Sequence, residues 1–287
     1  MAEADPRPRS GASSPVRQVD RIDTGPRFTD ADAIRLNRMF RGADTHEMLA
    51  AVLKDGLAGD VAVVSSFGAE SAVLLDIVAR IDPAVPVLFL ETGKHFAETL
   101  AYRDTLVSRL GLTGLRNLLP DPELLADRDE NGLRWSYDPD GCCDIRKGAP
   151  LARGLAGFDA TLTGRKAFQS ATRATLPRFE VDHSDAEGRL KINPLIDWTP
   201  ADIQNWMQAH DLPRHPLVAA GYPSIGCAPC TNRVAPGEDP RSGRWKGWDK
   251  VECGIHAPGG DAGAPQDAAD AAPGSDERPD ETNQPYF

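Results

Sequence analysis

Val61-Ala62-Val63-Val64 runs directly into Ser65-Ser66-Phe67-Gly68-Ala69-Glu70-Ser71, and from there into the apolar stretch 72–81. The first four residues are a short β-branched run of the kind that forms a buried strand, and the last ten have the spacing of a buried helix. The Ser/Gly-rich link between them opens that helix, where exposed amides and the helix dipole favour an anion such as phosphate. It matches neither G-x-x-x-x-G-K-[ST] nor G-x-G-x-x-G, and an ordinary strand-to-helix turn explains it as well.

The same alternation extends in both directions. Residues 28–57 have helical spacing, with Ile34, Met39, Phe40, Met48, Leu49, Val52 and Leu53 as expected core and Thr29 and Thr45 as expected helix starts. Strands are expected over 85–90, 112–118 (the weakest) and 158–162, with a helix running to about residue 110 between the first two. A further helix spans 200–210, with Thr199 as N-cap and Pro200 in its first turn. Strands alternating with helices imply an α/β fold whose mainly parallel sheet is flanked by helices. Ligands of such sheets bind beyond the carboxyl ends of the strands. Here those ends carry Ser65, Ser66, Gly68 and Glu70; Thr92, Gly93 and Lys94; and Gly164, Arg165 and Lys166. With Arg173 they place a group of cations in a chain of net charge −11. A small, strongly anionic ligand is the natural partner.

The rest of the composition narrows the class. The chain has 287 residues, 40% hydrophobic and 26% charged, enough to bury one substantial core. No apolar run reaches the roughly 20 residues needed to cross a bilayer. The acidic balance argues against a general nucleic-acid binder. Residues 1–26, rich in Pro, Arg and Ser, and the acidic Ala/Pro/Gly stretch 257–287 read as disordered, because neither holds enough apolar surface to offset its ordering entropy. The folded unit is expected over 27–256.

Five cysteines sharpen the picture. Cys142 and Cys143 are adjacent, Cys227 and Cys230 form a Cys-x-x-Cys turn, and Cys253 stands alone in Glu252-Cys253-Gly254-Ile255-His256. Adjacent Cα atoms lie about 3.8 Å apart, short of the roughly 4.4–6.8 Å usual for disulfides, so the first pair is poorly placed to cross-link. Four thiols of this kind are consistent with an iron–sulfur cluster, a zinc site, or unliganded core or redox thiols; adjacent cysteines grip a bulky cluster more readily than one small ion. The odd count and the lack of a signal-like opening favour a reducing, cytoplasmic setting.

Taken in order, Ser65 to Glu70, Glu91-Thr92-Gly93-Lys94, Gly141-Cys142-Cys143-Asp144-Ile145-Arg146-Lys147, Gly164-Arg165-Lys166 with Gln169-Ser170 and Arg173, Cys227-Ala228-Pro229-Cys230, Arg241 to Trp245 and Glu252 to His256 resemble the assimilatory adenylyl-sulfate reductases of the APS/PAPS reductase family. The resemblance spans roughly 28–256 and implies an α/β nucleotide-binding and cluster domain (27–233) followed by a mobile catalytic segment (234–256). It implies an adenine nucleotide α-hydrolase-like sheet and a [4Fe-4S] cluster, one per subunit, on Cys142, Cys143, Cys227 and Cys230. The implied reaction is thioredoxin-dependent reduction of adenylyl sulfate (APS) to sulfite and AMP, a step of sulfate assimilation and cysteine biosynthesis. Cys253 is then the nucleophile, forming an S-sulfonate, with Lys147, His256, Arg241 and Arg244 as catalytic partners. A homo-oligomer is also implied, with neither nucleic acid nor membrane as partner. Two motifs depart from the family's usual form. Lys94 stands where arginine is more usual and lacks its bidentate fork, and Ala167-Phe168 replaces a more polar pair.

Rival readings keep parts of this. A reductase of the 3′-phosphorylated nucleotide (PAPS) shares the fold, but its relatives typically lack the cluster cysteines. A tRNA thiolation enzyme usually carries Ser-Gly-Gly-x-Asp-Ser where this chain has Ser66 to Ser71. A zinc-binding interaction module would need no nucleophile.

Overall fold

The structure is a computed structural model and describes residues 26–250 and 252–256. The expectations for 1–25, for 257–287 and for the His256 side chain lie outside the described residues.

Residues 28–57 form two helices. Helix α1 (Asp30–Met39) starts at Thr29, whose hydroxyl accepts from the Asp32 amide in a reciprocal capping box. Helix α2 (Thr45–Leu53) is capped one residue earlier than expected, by Asp44. The expected burial of Ile34 and Met39 is not met: they are 52% and 57% exposed. The inward stripe of α1 is Ala33, Leu36 and Phe40, with Asn37 bonding both backbone groups of Phe179. The turn at residues 40–44 resets the register, so a single period fitted through both helices misplaces the first.

Strand β1 (Val61–Ser65) leads through the quoted loop to α3 (Ser71–Ile81). Next come β2 (Val87–Leu90), α4 (Ala97–Leu110), β3 (Leu115–Leu118) and α5 (Pro122–Arg128). Short helices α6 (Pro139–Cys143) and α7 (Ala149–Gly154) flank a π-helical turn, Asp144–Gly148. The chain continues through β4 (Ala160–Thr163), β5 (Phe179–Val181), β6 (Leu190–Ile192), α8 (Pro200–Ala209) and α9 (Pro216–Ala219). The sheet order is β3-β2-β1-β4-β6-β5, parallel except for the β5/β6 hairpin.

Side chains alternate across this sheet as the pleat requires. Val61, Val63, Val87, Phe89, Ala160 and Leu162 face the larger core beneath α1–α4 and α8. Ala62, Leu88 and Leu90 face a smaller core with Leu151, Leu155 and Phe158. Both faces are therefore covered, which is why the strands read as continuous apolar runs. Among the described residues no helix is long and apolar enough to cross a membrane.

Candidate active site

The strand order fixes where a ligand can enter. The chain winds one way from β1 to β2 and β3 and the other way to β4 and β6, so a crevice opens beyond the ends of β1 and β4. A cleft of about 780 Å³ lies there, lined by Ser65, Ser66, Gly68 and Glu70 from the first loop and Gly164, Arg165 and Lys166 from the second. Ser65 Oγ accepts the Phe67 amide at 3.2 Å. Phe67 adopts φ +48°, a left-handed conformation costly for a bulky residue. Its fully buried ring, edge-on to Phe89 at 5.4 Å, holds the loop in that shape. No side chain caps α3 at Glu70, which leaves the helix start facing the cleft.

Three of the four cations expected here have an acidic partner. Arg165 pairs with Glu180 and donates to Asn193 Oδ1 at 3.0 Å. Lys166 pairs with Glu70 at 2.9 Å, and Arg173 with Glu252 at 2.8 Å. Burial pushes the Arg165 and Lys166 pKa values down, against the pull of those carboxylates.

Thr92, Gly93 and Lys94 fall on a different side from the other predicted substrate residues. Thr92 Oγ1 lies 3.4 Å from Cys227 Sγ, and Lys94 Nζ donates to the Gly132 carbonyl at 2.6 Å. Gly93, at φ +69°, turns the chain so that the Thr92 carbonyl meets Arg146. These residues pack against a second, small cavity lined by Cys142, Cys143, Cys227 and Cys230 with Lys94, Trp135, Arg146 and Lys147.

Local chemistry builds that cavity. Asp138 caps α6 through the Gly141 amide, Pro139 occupies the first turn, and Arg134 clamps Asp138 at 2.7 Å. The π turn inserts one extra residue per turn, a device common at functional sites. Arg146, in that turn, points into the protein, where Nε and Nη2 both donate to Asp129. Lys147, its neighbour, reaches Cys253 instead, with Nζ 3.6 Å from Sγ. Opposite, Cys227 precedes and Cys230 ends a 3₁₀ turn pinned by the Ala228 amide to the Lys94 carbonyl at 2.8 Å. All five cysteines are free thiols. Among the described residues no three His, Cys, Asp or Glu converge closely enough to hold a single metal ion. Four sulfur donors with no carboxylate, arranged around one cavity, fit the donor set of an iron–sulfur cluster.

Cys253 lies on the cleft wall, apart from the small cavity's lining. A hydrogen bond from Cys143 is the largest influence holding its thiol well below the usual cysteine range, against burial. Lys147, the Ile255 amide and Arg244 act in the same direction. Burial opposes the charge on Lys147, but Cys227, Cys253 and Cys143 together raise its pKa, so it stays an ammonium. Arg244 stacks over Trp245 at 4.4 Å and lines the cleft, as does Arg241. For His256 only the backbone is described, in the turn Gly254–His256.

Three participants escaped the sequence reading. Glu252 was visible only as part of a motif. Arg146, beside Lys147, was likewise only part of a motif. His95, which belongs to none of the motifs, lines the cleft, with Nε2 on the Leu90 carbonyl at 2.8 Å and a buried Nδ1 that has no hydrogen-bond partner among the described residues.

Residues 60–233 match the family model described as phosphoadenosine phosphosulfate reductase domain. The chain is 48% identical over 243 residues to an adenosine 5'-phosphosulfate reductase of Mesorhizobium japonicum, covering 85% of this chain and 94% of that protein. It is 53% identical over 201 residues to the enzyme of the same name from Chelativorans sp., covering 70% and 80%. Among solved structures, a phosphoadenylyl-sulfate (PAPS) reductase from Candida auris superposes with a TM-score of 0.60 at 24% identity, over 72% of this chain and 98% of that one. At that identity the superposition speaks for the fold.

Proposed function

The chain belongs to the phosphoadenosine phosphosulfate reductase domain family, and from that premise we propose that it reduces adenylyl sulfate to sulfite and AMP in sulfate assimilation. The observation that carries the reading is Lys147: it rises from the turn after Cys142 and Cys143 and meets Cys253 at the wall of the cleft. Relatives named for the APS reaction, at 48% and 53% identity, support APS over the 3′-phosphorylated nucleotide.

In APS a sulfuryl group is joined to the AMP phosphate as a mixed anhydride. The loop Ser65–Glu70 and the turn Gly164–Lys166 are placed to receive the nucleotide at the open start of α3. Lys147 and Arg244 face the reacting end and offset the negative oxygens that a thiolate must approach. Cys253, ionised beside them, attacks sulfur; the new S–S bond forms as the S–O bond breaks, and AMP leaves with that electron pair. A dithiol protein, which we take to be thioredoxin, then attacks the Cys253 sulfur. Sulfite departs with the S–S electron pair, and the donor's second thiol resolves the mixed disulfide. The donor thus supplies both electrons.

Cys142, Cys143, Cys227 and Cys230 would hold the [4Fe-4S] cluster, whose contribution when bound is electrostatic and structural, beside Lys147. Residues 234–256 form the segment that opens to present the sulfonated Cys253. Five free thiols suit the reducing cytoplasm. A homo-oligomer remains part of the proposal on the family resemblance.

The test is incubation of cluster-loaded protein with APS and no reductant, read by intact mass. One sulfonate is expected on Cys253, and none on Cys253→Ser, which releases no sulfite. Release of sulfite by Cys253→Ser at the wild-type rate would overturn the proposal.

A further inference from the structure

We infer that Glu252 is a positioning residue: its grip on Arg173 docks the nucleophile over the cleft. The inference rests on the reading of Cys253 as nucleophile. Glu252 immediately precedes Cys253, yet its side chain points back into the α/β body and is only 8% exposed. Arg173 donates to it as a fork, Nε to Oε1 and Nη2 to Oε2, both at 2.8 Å. The third nitrogen, Nη1, donates to Gln169 Oε1. Each nitrogen of that guanidinium thus has a protein acceptor, and three of its five N–H groups are committed to Glu252 and Gln169.

The tie crosses between two parts of the chain. Arg173 and Ser170, which donates to Glu252 Oε1 at 3.1 Å, lie in the turns after β4. Arg241, which adds a contact to Oε2 at 3.3 Å, belongs to the terminal segment itself. From Arg173 the hydrogen bonds continue through Gln169 to Glu70 at 2.9 Å, and Glu70 pairs with Lys166. The nucleophile's anchor and the nucleotide loop thus share one polar chain.

An apolar anchor would have held the segment as firmly, since a buried ion pair seldom outperforms well-packed hydrophobic residues. What the charged fork adds is direction and reversibility. It fixes the register of the residue next to Cys253, and it re-solvates readily when the segment must leave. A segment that attacks in one position and is reduced by another protein in a second position needs both properties.

The experiment is alkylation of Cys253 by iodoacetamide in cluster-loaded protein, mapped by peptide mass. It is read on the high-pH plateau where the thiol is fully ionised, so that rate reports exposure and not thiolate fraction. Glu252→Gln, which leaves the Arg173 guanidinium uncompensated, and Arg173→Lys, which loses the two-point fork, are each expected to speed alkylation about tenfold. Both should lower kcat while KM for APS stays within about twofold, the pattern of an interaction that serves the reacting geometry and not ground-state binding. Glu252→Asp should recover part of both effects, and iron content should match wild type in all three. Wild-type alkylation and kcat in Glu252→Gln would overturn the inference. So would a raised KM with unchanged kcat in Arg173→Lys, which would make Arg173 a substrate contact. Failure here leaves Cys253 as nucleophile; failure of that reading shows instead as activity in Cys253→Ser.

Discussion

The nucleotide cleft and the thiol cavity share Lys147 and Cys227 in their walls, yet they are built by opposite means. The cleft stands on the ends of β1 and β4, two central strands whose apolar residues are almost wholly buried. Its shape follows from sheet topology, and many contacts enforce it. The cavity stands on helix caps, a π turn, a Cys-x-x-Cys turn and a few directed hydrogen bonds. Its shape depends on single contacts, any of which can fail alone. A site built on packing should tolerate point changes that a site built on individual polar contacts does not.

The sharpest way to break that contrast is Asp129→Asn. The Asp129 carboxylate, 1% exposed, takes two bonds from Arg146, at 3.0 and 2.6 Å, while Arg146 Nη1 holds the Thr92 carbonyl at 2.8 Å. This one pair locks the π turn to the end of β2. Removing the charge strands a buried guanidinium, at a cost of about 3–5 kcal/mol. The expected result is a large loss of iron and sulfide from purified protein, with AMP affinity by calorimetry held within about threefold. Equal losses of cluster and AMP binding would show that cleft and cavity are one cooperative unit.

Lys147→Ala probes the shared wall. Its ammonium faces thiols on both sides, so its loss should fall on the reacting thiolate and the sulfuryl oxygens, not on the nucleotide. A fall in kcat of about 10²–10³, the usual size for one lost donor at a developing charge, is expected. KM should change far less in the same steady-state assay. A normal kcat would remove Lys147 from the mechanism.

The same contrast explains what was legible in the sequence. Strand β1, its loop and α3 were readable because a β-branched run followed by helical spacing has few other solutions. The packed cleft followed from them through topology. The β5/β6 hairpin was not readable, because three residues per strand give no usable alternation. In the cavity, the four cysteines were visible as chemistry, but the reach of their neighbours was not. Thr92, Gly93 and Lys94 sit at a strand end, where a ligand is expected, yet the π turn brings Arg146 to that end and turns them toward the thiols. Glu252 was hidden for a related reason: a carboxylate one residue from a nucleophile carries no sequence sign of pointing away from it.

The smallest effect tests the joint between the two regions. His215 sits at the start of α9, where the chain leaves the α/β body on its way to Cys227. Its Nδ1 accepts the Leu217 amide at 3.2 Å, so the neutral ring carries its proton on Nε2, 3.1 Å from Thr99 Oγ1 in α4. Burial lowers the His215 pKa from 6.5 to about 4. Above pH 6.5 folded and unfolded chains are both neutral at this position, and it adds no pH dependence. Between 6.5 and about 4 the unfolded chain binds a proton that the folded chain refuses, so stability falls as pH falls. Below about 4 both carry the proton and the slope ends. His215→Asn keeps an acceptor for the Leu217 amide but cannot titrate. At pH 7.5 it should be less stable than wild type by about 1 kcal/mol, a typical cost for a buried substitution. Melting temperatures of the two proteins should then converge as pH drops from 6.5 toward 4, because only wild type gains the charge penalty. Parallel curves across that range would mean that the joint holds equally well with a charged ring.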